Sequence, residues 1–93
     1  MPTLRIKVER HEARNLIKFT ANIGSRSPEE ITDLEQAVSL IIKRMKGVLV
    51  CVVTPQSNGG SVDICIDVEL NGCPNPDYLE EKIMHLMHIA FEH

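Results

Sequence analysis

The chain has no tryptophan, and its aromatics are Phe19, Tyr78 and Phe91 alone. A core built from such a sequence has to be aliphatic. Base stacking on a sheet surface needs exposed aromatics, and no outward strand position carries one. There is no basic excess either: ten Lys and Arg against thirteen Asp and Glu give a formal charge of −3. That balance argues against a nucleic-acid partner. Long apolar runs are missing, and none approaches the roughly 20 residues a membrane-spanning helix needs. The three cysteines, Cys51, Cys65 and Cys73, are an odd number with no framework spacing. With no signal-peptide pattern, a reducing cytoplasm is the expected location. No glycine-rich phosphate loop is present, since Gly59-Gly60 belongs to a hairpin turn rather than a strand-to-helix junction.

What remains is an ordinary globular composition, 43% hydrophobic and 25% charged, over 93 residues. That length makes one domain, residues 1–93, able to fold alone with little margin.

Two alternating runs open the chain. Leu4, Ile6 and Val8 interleave with polar residues, and so do Ile17, Phe19, Ala21 and Ile23. The short link between them predicts an antiparallel hairpin. Its register follows from charge. Opposing Val8 with Ile17 would put Lys7 against Lys18, whereas opposing Val8 with Phe19 puts Glu9 against Lys18, the favourable choice.

Ser27-Pro28-Glu29-Glu30 is a helix start. A serine and a glutamate three residues on can satisfy each other's amides, and proline suits the first helical position. The stripe that follows is Ile31, Leu34, Val38, Ile41 and Met45, widened by Ala37 and Ile42. Gly47 is the expected helix stop.

A second hairpin spans Gly47 to Leu70. Its first strand, Val48 to Thr54, is apolar at nearly every position. Its second, Val62 to Leu70, alternates strictly, with Asp63, Cys65, Asp67 and Glu69 outward. Asn58-Gly59 is the expected turn, and a Gly59-Gly60 turn gives the same parity. With either turn Val53, Cys51 and Leu49 face in, while Val48, Val50 and Val52 face the open side; an odd-length loop would reverse this and expose Leu49, Cys51 and Val53, so an apolar row is left over in every case. After Asn71-Gly72-Cys73-Pro74, Asn75-Pro76-Asp77 repeats the cap-plus-proline device. A second helix follows, with Leu79, Ile83, Leu86, Met87 and Ala90 on one face.

The order is therefore ββαββα, an α+β fold of two halves, 1–47 and 48–93. It predicts a four-stranded antiparallel sheet with both helices packed on one face. The pattern is similar to a circularly permuted ferredoxin-like chain, which implies that strands 2 and 4 are central and strands 1 and 3 are edges. The alternatives are a sequential meander and a dimer completing a larger sheet. On the open face, Lys7, Glu9 and Lys18 are expected to meet Asp63, Asp67 and Glu69 in a solvated charge ladder.

Three constellations have chemical potential. Glu81, His85, His88 and Glu92 share one helix face at metal-ligand spacing, but a terminal helix needs a polar face anyway. Cys73 lies before a helix start, where amides can lower a thiol pKa, yet no basic residue or Cys-x-x-Cys accompanies it. Pro2 would become an N-terminal secondary amine on loss of Met1, although no helix follows the first strand as in small tautomerases. None supports a catalytic, metal or cofactor assignment, and the expectation is a non-enzymatic protein without cofactors.

The positive signal is strand 3. An apolar edge strand invites pairing unless charge or proline blunts it, and neither occurs before Pro55. Val48, Val50 and Val52, with Cys65 and Asp67 on the adjacent strand, form the expected partner interface. The expected function is a small cytoplasmic protein-interaction module, pairing with a protein partner or with itself as a homodimer. Small acidic α+β chains without motifs are common among phage and mobile-element inhibitors of host or defence proteins, an association that names no partner. The alternatives are a dimeric ferredoxin-like domain binding a small ligand, and a metal- or thiol-dependent enzyme.

Overall fold

The computed structural model describes residues 4–72 and 75–92. Its elements are β1 (Ile6–His11), a single 3-10 turn (Glu12–Arg14), β2 (Leu16–Asn22), α1 (Pro28–Lys43), β3 (Val48–Asn58), β4 (Ser61–Leu70) and α2 (Pro76–Phe91). The strands form one antiparallel sheet in the order β1-β2-β4-β3. The central pair, β2 and β4, comes from different halves of the chain, and β1 and β3 are the edges. The sequential meander is thereby excluded.

Alternation sorts each strand into a covered and an open face. Ile17, Phe19 and Ala21 of β2 and Val62, Ile64, Ile66 and Val68 of β4 are buried, and so are Cys51 and Val53 of β3. The helices cover this side, supplying Val38 and Ile42 from α1 and Leu79, Ile83, Met87 and Phe91 from α2. Val8 opposes Phe19 and Glu9 opposes Lys18, the register that charge pairing favours.

Local chemistry sets the helix ends. Ser27 Oγ accepts the Glu30 amide at 3.2 Å, and Glu30 Oε1 accepts the Ser27 amide at 3.2 Å, a complete capping box ahead of Pro28. Asn75 Oδ1 accepts the Tyr78 amide in the same way at α2.

Two expectations about α1 need correction. The helix ends at Lys43 rather than running to Gly47, which instead takes φ 94° in the turn entering β3. The inward stripe is Ile31, Leu34, Val38, Ile42 and Met45; Ile41 is 46% exposed and Ala37 lies outside. Four residues per step, 34 to 38 to 42, keep the stripe over the sheet, and Ile41 falls about 100° to one side.

Arg10 shares its face with Val8 and Ile6, the helix side of an edge strand. At this exposed margin it reaches α2. Nε donates to Glu80 at 2.9 Å and Nη2 to Asp77 at 2.5 Å, tying the first turn of α2 to β1. At the opposite pole Arg26 Nη2 donates to the Phe91 carbonyl at 2.6 Å, holding the last turn of α2.

Candidate functional site

β3 is longer than the sequence predicts. It runs through Pro55 to Asn58, and the turn is Gly59-Gly60 with φ of 57° and 89°. Both angles lie in the left-handed region that a type I′ hairpin turn requires. Asn58 opposes Ser61, so each pairing sits two residues along from the Asn58-Gly59 expectation, with the parity unchanged. Val53 opposes Ile66 and Cys51 opposes Val68.

Near its start β3 carries a bulge. Val50 opposes Glu69 and Val48 opposes Leu70, leaving Leu49 as the extra residue. The bulge reverses two expected orientations. Val48, expected on the open face, is half-buried against the core, and Leu49, expected inward, is 56% exposed. Val50 and Val52 stand on the open face, 42% and 49% exposed.

The hairpin also dictates which backbone groups point outward. Residues flanking a two-residue turn exchange both hydrogen bonds, and bonded and non-bonded pairs then alternate. Asn58, Gln56, Thr54, Val52 and Val50 therefore bond to β4. Pro55, Val53 and Cys51 turn their main-chain groups to the outer edge, where no strand pairs with them among the described residues. Pro55 fits here because its missing N–H falls on the side that β4 does not use.

The open face is a grid. Across it run Glu9, Lys18, Asp67 and Val52 in one row, and Lys7, Thr20, Cys65 and Thr54 in the next. The third row is Asn22, Asp63 and Gln56. Asp63 accepts from Asn22 at 2.9 Å and from Asn58 at 3.0 Å. Acidic charge is thus concentrated on β4, beside the neutral row Val50, Val52 and Thr54 of β3.

Cys65 and Asp67, the remaining expected interface residues, are half-buried at the middle of this face, with Cys65 Sγ 4.0 Å from Asp67 Oδ1. Burial pushes the Cys65 thiol up, and the Asp67 carboxylate raises it further. Burial likewise pushes up the Cys51 thiol, against an opposing influence from Lys43 of α1. Neither environment favours a thiolate nucleophile.

On α2, His88 Nδ1 lies 2.7 Å from Glu92 Oε2, an ordinary pair four residues apart. Among the described residues no three His, Cys, Asp or Glu side chains converge as metal ligands. Cys73 and Pro2 lie outside the described residues. A hollow of about 360 Å³ lies between the β1–β2 turn and the start of α2, with Arg10, Glu12 and Asn15 in its wall. Arg10 already spends its Nε and Nη2 donors on Glu80 and Asp77.

Sequence reasoning missed Leu49 and the length of the strand beyond Thr54. It also missed the exposure of four apolar side chains on the helices, Leu40, Ile41, Tyr78 and Ile89. Among the described residues, only β3 combines exposed apolar side chains with outward main-chain groups. No described helix is long and apolar enough to cross a membrane. Comparison with family models, curated proteins and solved structures found no match to this chain.

Proposed function

We propose that this chain is a non-enzymatic protein-interaction module that takes an extended strand onto the outer edge of β3. The observation that carries the reading is the conjunction on β3. Leu49, Val50 and Val52 are exposed apolar side chains, and Cys51 and Val53 direct main-chain donors and acceptors to the same edge. Main-chain bonds give such an added strand its affinity, and alternate side chains give it specificity. The added strand would continue the open face beside Val50, Val52 and Thr54, one strand away from the acidic residues of β4. An inhibitor or antagonist acting in the cytoplasm is one form such a module takes, reached here by association with other small acidic α+β chains.

The test is a paired capture from cell lysate with the parent and Val50→Lys. Placing an ammonium on the edge should cut the amount of a specific co-purifying protein at least tenfold. The far-UV circular dichroism of the two chains should coincide, because Val50 contributes no buried core surface. If the parent repeatedly retains nothing specific, or the variant retains it equally well, the reading is wrong.

A further inference from the structure

We infer that Asn71-Gly72, the dipeptide that follows β4, is a self-modifying site at which the folded chain converts asparagine to aspartate and isoaspartate. The inference is independent of the strand-adding reading. The reaction needs only water. The Gly72 nitrogen loses its proton to solvent and attacks Cγ of Asn71, and the Cγ–Nδ2 bond breaks with release of ammonia. A five-membered cyclic imide results, and water opens it at either carbonyl. One opening leaves aspartate. The other routes the main chain through the side-chain carbonyl as isoaspartate and leaves the former backbone carbonyl as the carboxylate. Either product replaces a neutral amide by a carboxylate, one negative unit beyond the formal charge of −3.

A following glycine favours the step because it has no Cβ to shield its nitrogen or resist rotation. Two asparagines precede glycine, Asn58 and Asn71, and the fold separates them. Ring closure requires rotation about the asparagine Cα–C bond until the glycine nitrogen comes over Cγ. At Asn58 two bonds oppose that rotation. Its carbonyl accepts from Ser61 Oγ at 2.9 Å across the turn, and its Nδ2 donates to Asp63 Oδ2 at 3.0 Å. Asn58 also closes the hairpin ladder opposite Ser61. Turning Gly59 toward the Asn58 side chain therefore opens the end of the hairpin.

Asn71 is held on the other side of its Cα. Leu70 is the last residue of β4, and the Asn71 N–H donates to the Gly47 carbonyl at 2.8 Å. That bond anchors the residue's own nitrogen and leaves the following peptide to turn. Among the described residues it is the one hydrogen bond that Asn71 makes. Asn71 and Gly72 are both exposed, and Gly72 has φ 61° with open space around its Cα. Ring closure at Asn58 waits for local opening of the hairpin, whereas Asn71 needs none. An opening cost of about 1.4 kcal/mol slows the reaction about tenfold.

The test is incubation of the folded full chain in warm, mildly alkaline buffer made with heavy-oxygen water. Each imide that hydrolyses takes up one heavy oxygen. Both asparagines fall on one tryptic peptide, ending at Lys82 and preceded by Lys46, and its fragment masses assign the label to one or the other. Asn71 should take up label at least about tenfold faster than Asn58, and faster still as pH rises and the attacking nitrogen deprotonates. In concentrated urea the two rates should converge, since the difference belongs to the fold. Asn58 converting as fast as Asn71 in the folded chain overturns the inference. So does an Asn71 that takes up label only when the chain is unfolded, or a ratio of rates that urea leaves unchanged.

Discussion

Ile41 and Ile42 are neighbours of identical chemistry, and the fold assigns them opposite energetic roles. Ile42 is 0% exposed in the seam of α1, whereas Ile41 is 46% exposed beside it. Truncating Ile42 to alanine removes fully buried methylene groups and leaves a cavity that the closely packed core can only partly close. Such changes cost about 2–5 kcal/mol, and complete burial with no exposed margin places Ile42→Ala near the middle, about 3 kcal/mol. A domain of this length has about 5–14 kcal/mol in all, so the loss is a large fraction of its stability. With a urea m-value of about 1–2 kcal/mol/M the midpoint falls by about 1.5–3 M. Ile41→Ala forfeits only part of a half-exposed side chain and gains up to about 0.5 kcal/mol in helix propensity. Its midpoint should move by less than about 0.5 M. Equilibrium urea unfolding followed by far-UV circular dichroism at fixed m measures both. If Ile41→Ala proves as damaging as Ile42→Ala, the helix is rotated by about 100° from the orientation described, and the assigned seam is wrong.

Two further outcomes test the turn and the first cap. Gly60 has φ 89° with open space where a methyl group would stand, and Gly59 has φ 57°; Gly60→Ala should therefore cost about 1–2 kcal/mol from backbone strain alone, while Gly59→Asn should be nearly neutral in the same unfolding assay. The Ser27 amide, and secondly its hydroxyl, hold the Glu30 carboxyl below its ordinary value of 4.5. A carboxyl lowered on folding adds stability that is present above its unfolded pKa and is lost as pH falls through the folded one. Glu30→Gln should accordingly be less stable than the parent at pH 7, with the difference shrinking below about pH 4.5; a difference that stays constant from about pH 3 to about pH 7 would refute the cap's role.

The parts of the fold that were legible in the sequence are those with an unambiguous local code. Ser27-Pro28-Glu29-Glu30 has one sensible reading, and both of its hydrogen bonds form. The β1–β2 register could be chosen because one option set lysine against lysine. The illegible parts are those where the residues are chemically interchangeable. Val48, Leu49 and Val50 are all apolar, so no alternation betrays that one of them is extra. Leu40, Ile41 and Ile42 are three consecutive aliphatics, and a seam through 41 fits a 3-4 pattern as well as one through 42. Arg10 sits at an inward position by parity but at the exposed margin of an edge strand, and its partners Asp77 and Glu80 come from the far end of the chain, where no local pattern pairs them with it. The exposed valines were visible as a surplus of apolar surface. Their confinement between a bulge and a proline depends on pairing with β4, which the strand's own sequence does not encode.

The central pairing of β2 with β4 has a consequence for how the molecule holds together. Each ββα half contributes one inner strand and one outer strand, and the seam between halves is the middle of the sheet, from Leu16 opposite Glu69 to Asn22 opposite Asp63. Beyond the ladder, the Ile23 amide donates to Val62 and the Val62 amide to Gly24. A chain severed in the turn before Val48 would leave two hairpins, each with the flank of its inner strand bare and half of a shared apolar layer uncovered. Neither fragment has a core of its own, and the surface each exposes is the template for the other. The two similar halves are thus complementary parts of one interlocked body rather than repeats set side by side.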